Sequence, residues 1–257
     1  MKLSHWYGRL GNNIQQVANG LMSAQAYKTR FENNLDHNII QKFSCSFGDN
    51  IVDASGKFFY WDGPYKEVPI DKGVCYTQMR SFCKTYVRPR LQLPRVDVDP
   101  DTLVMHLRSG DVFDQRVTNP DQYVPNPFCF YDVLLEQFDK CILVTEDTTH
   151  NPLVKELAWN PKVTVQSKTV EEDFATLLNA KHLATSGVGT FAMAAALCSN
   201  TVENIYCTNL HIMEHLNYQM LYNTDITINM MVLDNYIKPG EWTNSDEQRE
   251  LLFSYKA

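Results

Sequence analysis

From about residue 102 onward, hydrophobic runs of strand length alternate with segments whose apolar positions recur every three to four residues. The predicted strands are residues 102–108, 141–146, 163–167, 182–186 and 204–208. Helices are predicted at 128–139 and 153–159, each after an Asn-Pro pair, and after Thr169, where Glu172 completes a capping box. This alternation predicts an α/β domain with a doubly wound parallel sheet that binds ligands at the carboxyl ends of its strands.

The first hundred residues are less regular. An amphipathic helix is predicted over 12–30 and a second helix over 74–92. The aromatic segment 58–65 is either a buried loop cluster or the lining of an acceptor groove. Arginines, prolines and acids over 88–101 indicate a linker. We therefore predict an acceptor-side domain at 1–98, a ligand-binding domain at 99–238, and a tail at 239–257 whose helix packs back on the first domain.

Composition narrows the possible partners. The chain has 257 residues, 44% of them hydrophobic, and a formal net charge of -7 without a run of lysines or arginines, which argues against nucleic acid as a ligand. No stretch approaches the roughly 20 apolar residues that a membrane span needs, and no signal peptide is evident, so we expect a cytoplasmic protein. The seven cysteines lack CxxC spacing and favour core thiols over disulfides or a zinc site.

A glycine-containing turn at 185–191 separates a predicted strand from an Ala-rich helix at 190–199. Glycines permit close backbone approach, and the free N–H groups at a helix start attract anions. The residues predicted to hold a phosphate are Ser186, Gly187, Gly189, Thr190 and Phe191. The alternative is a tight turn whose glycines serve packing alone. The pattern is not GxGxxG, which disfavours a nicotinamide cofactor.

A second polar motif, His106-Leu-Arg-Ser-Gly-Asp111, runs off the carboxyl end of the strand at 102–108. An otherwise apolar strand has no structural need for a histidine and an arginine on one face. We interpret Arg108 as a bidentate ligand for a pyrophosphate. The alternative is an internal ion pair of Arg108 with Asp111 or Asp147.

These motifs, together with Gly8-Arg-Leu-Gly-Asn-Asn13 before a long helix and Asp173 upstream of a Gly-Thr-Phe run, resemble the fucosyltransferase superfamily of α-1,2-, α-1,6- and protein O-fucosyltransferases. The resemblance spans about residues 8 to 200. It implies a GT-B-like fold, in which two Rossmann-type domains face each other across a cleft. It also implies an inverting transfer of fucose from GDP-fucose to a glycan hydroxyl, with no metal and no further cofactor.

The resemblance also implies roles for individual residues. Arg108 would bind the pyrophosphate, with His106 beside the nucleotide. Asp173 would accept hydrogen bonds from the guanine edge, and Thr190 and Phe191 would donate to the phosphates. From the other domain, Arg9 and Asn12 would reach the donor.

Ser109 departs from the family pattern, which usually has a second arginine there. The hydroxyl group of the glycan acceptor must give up a proton to a base, and the candidate bases are Asp111, Asp114, Glu146 and Asp147. The alternative is substrate assistance, in which Asn12 would be important. Two other functions stay open: a glycosyltransferase with another donor such as UDP-xylose, and a non-catalytic module that binds nucleotide sugars. A flavodoxin-like receiver domain would leave the first hundred residues unexplained.

Overall fold

The computed structural model describes residues 1–58, 72–114, 121–212 and 215–257. Most of the predicted aromatic segment, from residue 59 onward, lies outside these ranges. Within these ranges the chain forms an α/β fold with two sheets, of four and six strands. Every helix within the described ranges is too short or too polar to span a membrane.

The first unit contains the four-stranded sheet, in the order β3-β2-β1-β4. Its strands are β1 (Lys2–Leu3), β2 (Arg30–Asn33), β3 (Phe43–Ser46) and β4 (Ser55–Gly56). β1 runs parallel to β2 and β4, whereas β3 is antiparallel. Helix α1 (Leu10–Ala26) connects β1 to β2, and helix α2 (Lys72–Phe82) continues into a π turn at Cys83–Val87 and a 3-10 turn at Arg88–Arg90. Helix α1 thus begins at the carboxyl end of β1.

The second unit contains six parallel strands in the order β10-β9-β8-β5-β6-β7. They are β5 (Leu103–Leu107), β6 (Cys141–Thr145), β7 (Val163–Gln166), β8 (His182–Ala184), β9 (Asn204–Thr208) and β10 (Thr227–Met231). Five of them fall where the hydrophobic pattern predicts; β10 was not predicted. The winding direction reverses between β5 and β8, so the crevice beyond the ends of these two strands is the expected ligand position.

Helices cover both faces of this sheet. They are α3 (Phe128–Gln137), α4 (Pro152–Ala158), α5 (Val170–Asn179), α6 (Phe191–Cys198) and α7 (Asp246–Ser254). Side chains alternate along β5: Leu103, Met105 and Leu107 face the core under α3 and α4, whereas Val104 joins the core under α5 and α6. Alternation therefore places His106 on the α6 side.

The two units share one hydrophobic core. The cluster that contains α5 and α6 also contains the buried side of α1 and α2, and α1 packs directly on α6. In addition, Arg80 of α2 is buried and paired with Asp225, 2.7 Å away. The first unit is thus a small mixed sheet that is joined to the larger one through helices.

Among the described residues, the C-terminal helix α7 packs on α3 and not on the first unit, which corrects the expectation from the sequence. Phe253 contacts Phe128 of α3, and Tyr255 contacts Tyr236. Leu252 is fully buried in the core that lies beneath α3 and α4. The apolar side of α7 thus adds to the core on that face of the six-stranded sheet.

Candidate functional site

A cavity of about 770 Å³ lies between the two units, at the carboxyl ends of β5, β6 and β7. Its volume falls within the range of about 300 to 1,000 Å³ that is typical of small-molecule sites. The first unit contributes Arg9, Leu10, Gly11, Asn13, His37, Asn38 and Ile39. The second unit contributes His106, Arg108, Val144, Thr145, Glu146, Lys168, Val170, Glu171, Asp173, Thr190 and Phe191.

Two helices begin at this cavity. The N-terminus of α1 lies against that of α6 at Gly11, where a Cβ atom would lie 2.5 Å from Thr190 Oγ1. Thr190 Oγ1 donates to Asn12 Oδ1 at 2.9 Å, so Thr190 does not cap its own helix. Neither helix has a side-chain cap or an acidic residue in its first turn. Their first N–H groups and dipoles thus favour an anion in the cavity.

His106, in β5, and Arg108, just after β5, line the cavity with polar side chains. His106 is buried, its Nδ1 has no hydrogen-bond partner in the described parts of the chain, and its ring packs 5.3 Å from that of Phe191. Burial, together with the positive charge of Arg108, lowers the pKa of His106 to about 3. His106 is therefore neutral near pH 7 and offers a hydrogen bond without a charge.

The Arg108 guanidinium is held on two sides. Its Nη2 donates to both oxygens of Asp111, at 3.2 and 3.0 Å, and its Cζ lies over the Tyr123 ring, 3.8 Å from the ring centre. The internal ion pair with Asp111 that the sequence left open is therefore present. Arg108 Nε is buried without a partner among the described residues. One edge of the guanidinium is thus oriented by the protein, and a donor remains for a ligand.

Arg9 extends the charged group across the cavity. It donates to Glu146 Oε2 in a short ion pair, and its Nη2 lies 3.6 Å from Asp111 Oδ2. The Arg9 side chain is 59% exposed. Arg9 therefore lines the cavity from the first unit and contacts acidic residues of the second unit.

Asp173 lies in the first turn of α5, where its carboxylate is fixed. Gln166 Nε2 donates to Asp173 Oδ1 at 2.8 Å, and the Lys168 N–H donates to Oδ2 at 3.2 Å. Burial raises the pKa of Asp173, and these hydrogen bonds oppose the rise. Because Asp173 lines the cavity at the end of β7, its remaining lone pairs can accept from a ligand there.

The glycine turn contributes less than the sequence suggested. Among its residues, Thr190 and Phe191 line the cavity, whereas Ser186, Gly187 and Gly189 do not. Gly187 has a φ of +86° and packs against the backbone carbonyl of Val124, to which Val188 N–H donates at 3.3 Å. The conformation of Gly187 therefore serves packing, which was the alternative interpretation.

The four candidate proton acceptors differ in their surroundings. Glu146 lines the cavity, whereas Asp111 lies beside it and is bound to Arg108. For Asp147, burial would raise the pKa, but hydrogen bonds from Thr149 and His150 lower it to about 2. Asp147 is therefore a weak base. Asp114 lies outside the cavity lining.

Ser109 is fully buried and does not line the cavity. Its hydroxyl lies 2.8 Å from Thr145 Oγ1 and accepts from Asn151 Nδ2 at 3.0 Å. Asn151 also donates to the Arg108 carbonyl. This buried network fixes the backbone between Arg108 and Asp111.

Several lining residues were not found from the sequence. His37 Nδ1 accepts from the N–H groups of Ile39 and Ile40, so its Nε2 carries the proton and donates to Asn13 Oδ1 at 3.2 Å. Burial lowers the pKa of His37, although Glu171 opposes this effect. A single histidine in a loop carries no periodic signal, but its imidazole fixes the wall formed by residues 37–39.

Comparisons of the chain with models of protein families, with curated proteins and with solved structures found no match. The sequence motifs and the geometry of the cavity are the features that indicate a function.

Proposed function

We propose that this protein is an inverting, metal-independent glycosyltransferase that binds a nucleoside diphosphate sugar, for which GDP-fucose is the best candidate, in a GT-B-like cleft between its two units. One observation carries the proposal. Arg108, a neutral buried His106 and two uncapped helix N-termini converge on one cavity at the carboxyl ends of β5, β6 and β7. The fucosyltransferase-like motifs supply these same groups.

A diphosphate is the ligand that suits these donors. Arg108 is oriented by Asp111 and Tyr123, and a guanidinium matches phosphate oxygens in bidentate geometry. The N-termini of α1 and α6 add backbone N–H groups and the positive ends of two helix dipoles. In the transfer reaction, negative charge grows on the departing diphosphate. Donors that are already in place stabilise this charge without reorganisation.

The remaining walls suit the other parts of the substrates. Asp173, on the side of the cavity toward β7, accepts hydrogen bonds and thereby suits the N–H groups of a guanine edge. The segment of residues 37–39 comes from the first unit and faces the donor-binding side. In this proposal it forms part of the surface that receives a glycan or glycoconjugate acceptor.

Thermal unfolding with added ligand tests the binding part of the proposal. The protein would be heated in EDTA with GDP, UDP, inorganic pyrophosphate or no ligand, at concentrations up to about 100 times the dissociation constant. Such a ligand adds about 2.7 kcal/mol to the free energy of unfolding. We expect stabilisation by GDP that Arg108→Gln abolishes and that the exposed control Arg95→Gln retains. Absence of stabilisation by all three ligands would refute the diphosphate site.

Product analysis tests the catalytic part. GDP-fucose and UDP-xylose would each be incubated with a glycan mixture, and the anomeric configuration of any product would be determined by NMR. Transfer from GDP-fucose with inversion is the expected result. Transfer from UDP-xylose would mean that the donor is UDP-xylose instead of GDP-fucose. Tight binding without transfer would favour a non-catalytic module.

A further inference from the structure

Four charged side chains form a continuous chain at the boundary of the two units: Arg108, Asp111, Arg9 and Glu146. Arg9 comes from the first unit and the other three from the second. Positive and negative side chains alternate along it: Asp111 lies between Arg108 and Arg9, and Glu146 pairs with Arg9. Arg9 is the member whose position depends on both units.

Arg9 is bound in a way that allows it to change partner. Its side chain is 59% exposed and that of Glu146 39% exposed. Ion pairs with such exposure contribute little to stability because water solvates both partners. By contrast, Arg108 is 18% exposed and stacked on Tyr123. A strong anion in the cavity can therefore draw Arg9 away from Glu146 while Arg108 stays in place.

We infer that Arg9 is a ligand-responsive latch. Without the donor, Arg9 forms an ion pair with the Glu146 carboxylate. When the donor binds, Arg9 pairs with its diphosphate instead, and Glu146 is free to act as the catalytic base. This inference rests on the proposed function. A diphosphate offers several charged oxygens close to the helix N-termini beside Arg9, and arginine binds phosphate oxygens in bidentate geometry.

Glu146 is the acid that the geometry favours as base. It lines the cavity, whereas both oxygens of Asp111 already accept from Arg108. Asp147 is held by Thr149 and His150. Gly110, at a φ of +47°, leaves room for Glu146, because a Cβ atom there would lie 2.8 Å from Glu146 Oε1. The Glu146 carboxylate can therefore stay in this position at the cavity after Arg9 has moved away from it.

The proton and electron balance of the step is simple. The acceptor hydroxyl oxygen forms a bond to the anomeric carbon and gives its proton to the Glu146 carboxylate. The bond from the anomeric carbon to the diphosphate oxygen breaks, and its electron pair stays on the diphosphate. Arg9 and Arg108 then compensate the charge of the leaving group. The latch thus couples the availability of the base to the presence of the donor.

Calorimetric titration with inorganic pyrophosphate and with GDP tests the exchange of partners. If Glu146 competes with the ligand for Arg9, Glu146→Gln should tighten binding by about two- to fivefold, the range set by an exposed ion pair. Arg9→Gln should weaken binding by about tenfold or more. In the Arg9→Gln background, the further change Glu146→Gln should have no effect, because no competition remains.

The double variant separates this mechanism from charge repulsion. Repulsion between Glu146 and the ligand would give a gain that persists in the Arg9→Gln background, and that result would overturn the latch. Glu171→Gln is the matched control, because it removes another carboxylate from the cavity wall. Any gain it gives should be the same with Arg9 and with Gln at position 9.

Turnover tests the role of Glu146 as base. With GDP-fucose and acceptor saturating, Glu146→Gln should lower kcat by about 100-fold or more while donor binding is retained. A kcat that stays at the wild-type value would overturn this role. If the wild-type protein binds neither pyrophosphate, GDP nor UDP, the proposed function itself fails, which differs from binding without the effect of Glu146→Gln.

Discussion

Thr190 Oγ1 donates a hydrogen bond to Asn12 Oδ1 at 2.9 Å, although 178 residues separate them in the sequence. The bond joins the first turns of α1 and α6, the two helices whose N-termini open on the cavity. Because the Thr190 hydroxyl bonds Asn12 and does not cap α6, the N–H groups at the start of α6 stay available to a ligand. The geometry of the proposed anion site therefore depends on this contact between the units.

Thr190→Val should loosen the junction without changing the shape of the side chain greatly. Loss of a hydrogen bond of this kind costs about 1 kcal/mol of unfolding free energy. We also expect weaker binding of inorganic pyrophosphate, because the ligand must then align the two helix starts. Urea unfolding and calorimetry measure the two effects.

Thr185→Val is the matched control for Thr190→Val. In the wild type, the Thr185 hydroxyl lies 3.0 Å from the Tyr218 hydroxyl, in a buried position outside the cavity lining. It should lower stability and leave pyrophosphate affinity unchanged. Equal affinities for all three proteins would show that the Thr190 contact is structural only.

Gly11→Ala tests the close approach of the helices. Its Cβ atom would lie 2.7 Å from the backbone carbonyl carbon and oxygen of Thr190, neither of which can rotate away. Overpacking costs about 1 to 3 kcal/mol, partly offset by the higher helix propensity of alanine. We expect a lower melting temperature and a loss of GDP binding, since α6 must move.

Gly20→Ala provides the comparison within the same helix. There the added methyl group meets the ring of Phe31 in the core of the first unit. It should reduce stability but keep GDP binding, measured well below the melting temperature. If Gly11→Ala binds GDP as well as Gly20→Ala does, the approach at Gly11 is not needed for the site.

The six-stranded sheet was largely predictable because its strands are long enough to show a pattern. The run predicted at 102–108 contains β5, and the capping box at Thr169 and Glu172 begins α5 as expected. The four-stranded sheet was not predictable. β1 and β4 have two residues each, and two residues cannot establish a period. β10, at an edge, alternates weakly.

The site was predictable where a polar residue interrupts an apolar pattern. His106 and Arg108 are of this kind, because β5 is otherwise hydrophobic. His37 and Lys168 lie in loops, where polar residues are ordinary, so only the fold brings them to the cavity. For Gly187, the sequence could not distinguish a phosphate-binding conformation from packing against Val124. That distinction depends on a tertiary contact.

The buried state of His106 predicts how stability depends on pH. Its pKa is about 3 in the folded protein, because of burial and of Arg108, against an ordinary value of 6.5. Between these values the unfolded chain binds a proton that the folded protein does not. The free energy of unfolding should therefore fall as the pH falls, by about 1.4 kcal/mol per pH unit from this residue.

His106→Gln should remove this dependence. Urea unfolding at pH 7, 6, 5 and 4.5 should show a smaller decrease in stability for the variant than for the wild type. The exposed His5→Gln serves as control and should keep the wild-type slope. Parallel slopes for wild type and His106→Gln would mean that His106 takes up a proton in the folded protein.

Asp173 provides a test of the proposed preference for a guanine nucleotide. A carboxylate can accept from two neighbouring N–H groups of guanine, whereas an asparagine replaces one acceptor by a donor. Asp173→Asn should weaken GDP binding by about 10- to 100-fold, as expected for lost hydrogen bonds to a charged group. Binding of inorganic pyrophosphate, which has no base, should change little.

The neighbouring change Glu172→Gln separates recognition of the base from stability of α5. Glu172 belongs to the capping box with Thr169, and glutamine can replace glutamate there. This variant should bind GDP and pyrophosphate like the wild type. If Asp173→Asn weakens pyrophosphate as much as GDP, Asp173 acts by shaping the start of α5 through Gln166 and Lys168. Asp173 would then not read the base, and the preference for guanine would lose its structural support.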